Sequence, residues 1–81
     1  MSALEIVKLK VRDQYEKNPI VHVNVSISNP KTNVFNEQVV IKGVYPHLFR
    51  LEDKHGETHT LKYSDLLTKG IEIQELNLGI G

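Results

Sequence analysis

The sequence predicts a mainly β fold, a small five-stranded barrel that is closed or nearly closed, and three observations carry that expectation. Val21, Val23, Val25 and Ile27 alternate with His22, Asn24, Ser26 and Ser28, the period-two pattern of a half-buried strand. Further short apolar runs follow, separated by close turn-forming clusters. The chain has 81 residues and no cysteine, so disulfides cannot hold it together, and closure would remove edges that so small a sheet could hardly shield.

Residues 2–17 carry two patterns. Ser2 with Glu5 forms a possible capping box, and Leu4, Val7, Val11 and Tyr15 recur at helical spacing. Val7 to Arg12 also alternates apolar and basic residues, as a strand would. The helix accounts for Leu4 and Tyr15, the strand for Leu9. The helix must stop near Asn18, because Pro19 disfavours the α conformation in its predecessor. The first strand then leads to a turn by composition, Asn29-Pro30-Lys31-Thr32-Asn33. A second strand runs from about Val34 to Val44, with Glu37, Val39 and Ile41 on one face. Gly43 marks a bulge or a sharp bend inside it. Tyr45-Pro46-His47 turns into a third strand, Leu48–Glu52, and Asp53-Lys54-His55-Gly56 has the composition of a tight hairpin loop. The fourth strand is Glu57–Tyr63. Ser64 to Thr68 suits a single 3₁₀ turn, and Gly70 releases the chain into a fifth strand, Ile71–Gln74. Inward positions are Val21, Val23, Val25, Val39, Ile41, Leu61, Ile71 and Ile73, with Phe49 packed among them.

Residues 1–75 read as one domain and residues 76–81 as a C-terminal tail. Ile71 and Ile73 are apolar at odd positions, whereas Leu76, Leu78 and Ile80 are apolar at even ones, so the register breaks near Glu75. The tail is either a frayed terminus or a docking segment for a partner or a second subunit.

Composition excludes several functions. Without cysteine there is no thiolate zinc site and no thiol redox chemistry, which fits a reducing cytoplasm. No apolar run approaches the ~18 residues of a membrane span, and charges interrupt any signal-like stretch at the N-terminus. A cytoplasmic location is expected. Ten basic residues balance ten acidic ones, so net charge does not favour nucleic acid.

The candidate chemistry is thin. His22, His47, His55 and His59 form no ligand motif, and solvent-facing or rim histidines are the plainer account. His59, Ser64 and Asp65 are the residue types of a hydrolase triad, but no nucleophile elbow accompanies them, and Ser64 and Asp65 suit turn capping. No glycine-rich phosphate loop occurs. No catalytic, cofactor-binding or metal-binding residue is expected. Tyr45 and Tyr63, at strand ends near Lys42, Arg50 and Lys62, form a possible cationic-aromatic binding surface, with ordinary amphipathic strands as the plainer account.

Three stretches together carry a resemblance: Ile41-Lys42-Gly43-Val44-Tyr45-Pro46-His47-Leu48-Phe49, Leu61-Lys62-Tyr63-Ser64-Asp65-Leu66-Leu67-Thr68, and Ile71-Glu72-Ile73. Their order and spacing resemble the Veg family of small proteins from low-GC Gram-positive bacteria. The resemblance implies an SH3-like or Sm-like barrel behind an N-terminal helix, which favours the helical reading of residues 2–17. It also implies a non-enzymatic role in regulation of gene expression, with biofilm formation as the output. One departure concerns the first strand connection, which is Gly/Arg/Lys-rich in the family. Residues 29–33 here hold one basic residue, Lys31, so a nucleic-acid contact through that loop does not carry over. The expected function is therefore a regulatory or adaptor module that binds another protein. The alternative is a nucleic-acid-binding barrel, with a homo-oligomer possible in either case.

Overall fold

The structure is a computed structural model that describes residues 2–28, 31–68 and 70–76. Its first element is a helix, α1 (Ala3–Lys17), so the helical reading of the N-terminal segment holds. The Ser2 side chain accepts the Glu5 N–H at 3.2 Å, which satisfies one of the unpaired donors of the first turn. Asn18 ends the helix in an extended conformation ahead of Pro19, while its own N–H still donates to the Gln14 carbonyl. Val7 and Val11 are buried, and Leu4 and Tyr15 lie at the flanks of that face, partly exposed.

Five antiparallel strands follow: β1 (Ile20–Ser28), β2 (Lys31–Val44), β3 (Leu48–Glu52), β4 (Thr58–Lys62) and β5 (Ile71–Ile73). They form one curled sheet in the order β4-β3-β2-β1-β5, a half-barrel. β1 and β2 remain paired to Ser28 opposite Lys31. The first turn is thus shorter than composition suggested, because Lys31, Thr32 and Asn33 still belong to the ladder. Two irregularities bend β2. Its register against β3 shifts between Ile41 and Gly43, where Gly43 marked a bend, and its register against β1 shifts beside Asn24.

A one-turn helix, α2 (Asp65–Thr68), stands where a 3₁₀ turn was expected before the last strand. It is entered through two 3₁₀-type hydrogen bonds, Leu66 N–H to Tyr63 O at 3.1 Å and Leu67 N–H to Ser64 O at 3.0 Å. α2 packs against both β4 and β5, which do not pair with each other, and Leu66 enters the core. β5 stops at Ile73, and Gln74–Leu76 forms a 3₁₀ turn. With three residues per turn, Ile73 and Leu76 fall on the same side, so the odd-to-even switch is absorbed inside the domain. Leu76, read from the sequence as either the start of a frayed terminus or the first apolar residue of a docking tail, is instead a core residue, only 5% exposed. Leu78 and Ile80 lie outside the described residues.

The core contains Val7, Val11, Val21, Val23, Val39, Ile41, Phe49, Leu51 and Ile73, with Leu61 and Ile71 packed partly buried against it. α1 covers one end of the half-barrel through its contacts with β2 and the 3₁₀ turn. The opposite end is an apolar mouth of about 320 Å³ between Val25, Val34, Leu61 and Ile71, with Glu37, Asp53 and His59 among its lining.

Candidate functional site

The residues predicted to form a binding surface divide into two groups. Tyr63 continues the inward parity of Leu61 and is 2% exposed, which corrects the expectation of a surface hydroxyl. Its ring stacks on Phe49 with centroids 5.3 Å apart, and its hydroxyl donates to the Tyr45 carbonyl at 2.5 Å. Burial raises the Tyr63 pKa against that hydrogen bond. The ring therefore belongs to the core and the hydroxyl to the Tyr45–Leu48 turn.

Tyr45 is exposed, and its ring lies against Gly43, where a Cβ would come within 2.6 Å of the tyrosine oxygen. Arg50 opposes Gly43 across the β2–β3 ladder and places its guanidinium 5.7 Å from the Tyr45 ring centroid. Lys62 lies two residues along β4 from Thr60, the partner of Arg50, and so shares its outward face. Lys42, on the bulge, is also exposed. The structure thus joins Tyr45 to Arg50 and leaves Tyr63 out. Gly43→Ala is expected to displace the Tyr45 ring and abolish the Arg50 contact while costing no more than about 1 kcal/mol, because an exposed ring can move. Tyrosine fluorescence and thermal melts would check both halves of that outcome.

Two of the four histidines, His22 and His59, engage carboxylates through their side chains. His22 lies 2.6 Å from Glu75 through its side chain and donates its backbone N–H to the same carboxylate at 2.7 Å, tying the 3₁₀ turn to β1. Burial pushes the Glu75 pKa up, but the His22 hydrogen bonds outweigh it and the net shift is downward. His59 Nε2 lies 2.7 Å from Asp53 Oδ2, while Asp53 Oδ1 accepts the His55 and Glu57 N–H groups at 2.8 and 3.0 Å. Glu57 brings the group to three possible ligand atoms within 4.8 Å. Asp53 is already engaged at both oxygens, and the arrangement clasps the β3–β4 hairpin, where Gly56 takes φ +80°. His59, Ser64 and Asp65 do not assemble as a triad, since His59 turns to Asp53 and Asp65 accepts the Lys62 N–H at 3.1 Å.

The His59 hydrogen bond, with those from the Glu57 and His55 amides, lowers the Asp53 pKa from 3.8 to about 2. A lowered carboxylate pKa stabilises the fold above the unfolded value and ceases to do so as pH falls through the folded one. Thermal melts should therefore lose this contribution between the ordinary value of 3.8 and about 2. In Asp53→Asn that acid-sensitive part of the decline should be absent.

The most exposed large apolar side chain among the described residues is Phe35, at 84%. It went unnoticed in the sequence because its parity matches Val39 and Ile41. Val34 opposes Val25 and Glu37 opposes Val23, so Phe35 and Asn36 together face the single residue Asn24. Asn36 adopts φ +55° and donates its N–H to Asn24 Oδ1 at 2.7 Å; Gln74 bonds both asparagines, and Asn24 bonds Glu72. This bulge turns Phe35 outward.

The family model for the biofilm formation stimulator VEG matches residues 4–74, from α1 through the first residue of the 3₁₀ turn. The chain belongs to this family. The VEG match spans every strand and therefore covers both the Tyr45–Arg50 pair and the Phe35 bulge. Its description names a stimulator of biofilm formation and no enzymatic reaction. Neither the curated proteins nor the solved structures give a significant match. Among the described residues no helix is long and apolar enough to cross a membrane.

Proposed function

We propose that this VEG-family chain is a non-catalytic regulator of gene expression, with biofilm formation as its output, and that it acts by binding another protein. The exposed Phe35 carries this reading. A phenylalanine at 84% exposure forgoes most of the stabilisation that burying an aromatic ring supplies, and a side-chain network at Asn24, Asn36 and Gln74 holds the bulge that presents it. Aromatic side chains of this kind are enriched at the centres of protein interfaces. The family description supports the regulatory half of the reading. Against nucleic acid stand the zero net charge and the burial of Tyr63, which leaves the Lys42, Arg50 and Lys62 surface with one aromatic ring.

A pull-down from native lysate, repeated after nuclease treatment, tests the reading. Retention of a protein partner after nuclease, with little retention of single-stranded RNA or DNA at physiological salt, is expected. Tight nucleic-acid binding that falls steeply with salt would overturn it.

A further inference from the structure

We infer that the free edge of β2 from Asn33 to Val39 is a strand-addition site for a basic, extended segment of the partner protein. The inference rests on the protein-binding reading and names the surface that does the binding. β2 is fourteen residues long, but β3 pairs only with Val40 to Val44 and ends at Glu52. Among the described residues no strand lies on that side of β2 before Val40.

Backbone alternation shows which groups face outward there. Ile41 donates its N–H to the Pro19 carbonyl on the β1 side, so Val40 faces β3, and Gln38 faces the same way beyond the end of β3. Ser26 donates its N–H to Gly70, away from β2, so its partner Asn33 also directs its amide and carbonyl to the free side. Phe35 stands between these two anchor points. A cleft of about 690 Å³ runs along the same edge, lined by β2 from Asn33 to Val40 and by Glu52, Asp53 and Lys54 beyond the end of β3. An added strand would continue the line of β3 and cover Phe35.

Charge selects the occupant. Glu37, Glu52 and Asp53 border the cleft against one cation, Lys54. Between Asn33 and Val39, β2 carries Glu37 and no lysine or arginine, so the same stretch of a second copy would bring acid to acid. A segment alternating lysine or arginine with apolar residues supplies what the cleft lacks: cations for Glu37 and Glu52, apolar groups for Phe35, and a backbone for Gln38 and Asn33.

The test titrates the ¹⁵N-labelled full chain with a synthetic peptide alternating lysine and valine, and with a matched peptide alternating glutamate and valine. The basic peptide should shift the amides of Asn33–Val39 and slow exchange at Gln38, with affinity at least about tenfold above the acidic one at low salt. Gln38→Pro removes the outward donor at an edge position that tolerates proline, and Phe35→Ala removes the ring; both should abolish the shifts. Phe35→Ala, at a solvent-exposed position, should keep the fold even if the proline variant does not. Absence of shifts along Asn33–Val39 overturns the inference, as do equal responses to the two peptides or shifts confined to Tyr45 and Arg50. Concentration-dependent shifts of β2 in the protein alone would make a second copy the occupant and overturn it too. If the lysate partner is lost with Phe35→Ala but binds a folded Gln38→Pro like wild type, strand addition at this edge is wrong while the protein-binding reading stands. If no protein is captured and nucleic acid is, the reading itself falls.

Discussion

Phe49→Ala is expected to remove a large share of the chain's stability, on the order of a third or more. Phe49 is the largest fully buried side chain, at 0% exposure, and its ring stacks on Tyr63 at 5.3 Å. Phenylalanine-to-alanine changes in cores cost about 3–5 kcal/mol, through lost transfer energy and the cavity left behind. A domain this small holds on the order of 4–12 kcal/mol in total, so the loss takes a large share of its stability. The damage would also spread. Tyr63 loses the ring it stacks on, and the Tyr63 hydroxyl anchors the Tyr45 turn. Urea denaturation monitored by circular dichroism would show a midpoint far below that of wild type. A cooperative transition with its midpoint near wild type would show that the core does not depend on this ring.

Gly70→Ala is expected to cost about 2–4 kcal/mol, from left-handed backbone strain and steric conflict together. Gly70 has φ +67°, and a Cβ there would sit 2.3 Å from the Ser26 carbonyl oxygen, a backbone atom that cannot swing aside. The Ser26 N–H to Gly70 carbonyl bond, at 2.9 Å, would be strained in the same movement. β5 is three residues long and delivers Ile73 to the core, so a shift at this junction would disturb the short ladder it forms with β1. Gly56 provides the comparison. It has φ +80° but nothing within 4 Å of an added Cβ, so Gly56→Ala should cost only the backbone strain, about 1–2 kcal/mol. Equal losses in the two variants would show that the Ser26 contact adds nothing.

Much of the fold was legible because the strands keep period two. Val21, Val23, Val39, Ile41 and Ile73 fell inward as their alternation required, and the third strand has the bounds its sequence suggested. The first segment was ambiguous on pattern alone, since Val7 and Val11 satisfy both periods; the Ser2 cap and the family resemblance favoured the helix. Tyr63 was misplaced although the signal was present, because it shares the parity of Leu61, which packs against the core. Leu76 broke parity for a physical reason that alternation cannot express, a 3₁₀ turn that brings it back beneath Ile73. Phe35 was the least legible. Its position has core parity, and only the register shift opposite Asn24, with Asn36 at positive φ, reverses it. A bulge depends on which residues of the neighbouring strand lie opposite, and one strand read by itself does not contain that information.

The core absorbs Tyr63 and Leu76, while the bulge bonded through Asn24, Asn36 and Gln74 leaves Phe35 exposed at the surface. The most direct test is biofilm output in a host that depends on this chain, comparing wild type with Phe35→Ala. Because Phe35 is 84% exposed, its removal should leave the melting temperature within a few degrees of wild type. Biofilm stimulation should be lost while the folded protein persists at wild-type levels. Full stimulation by a folded Phe35→Ala protein would contradict it.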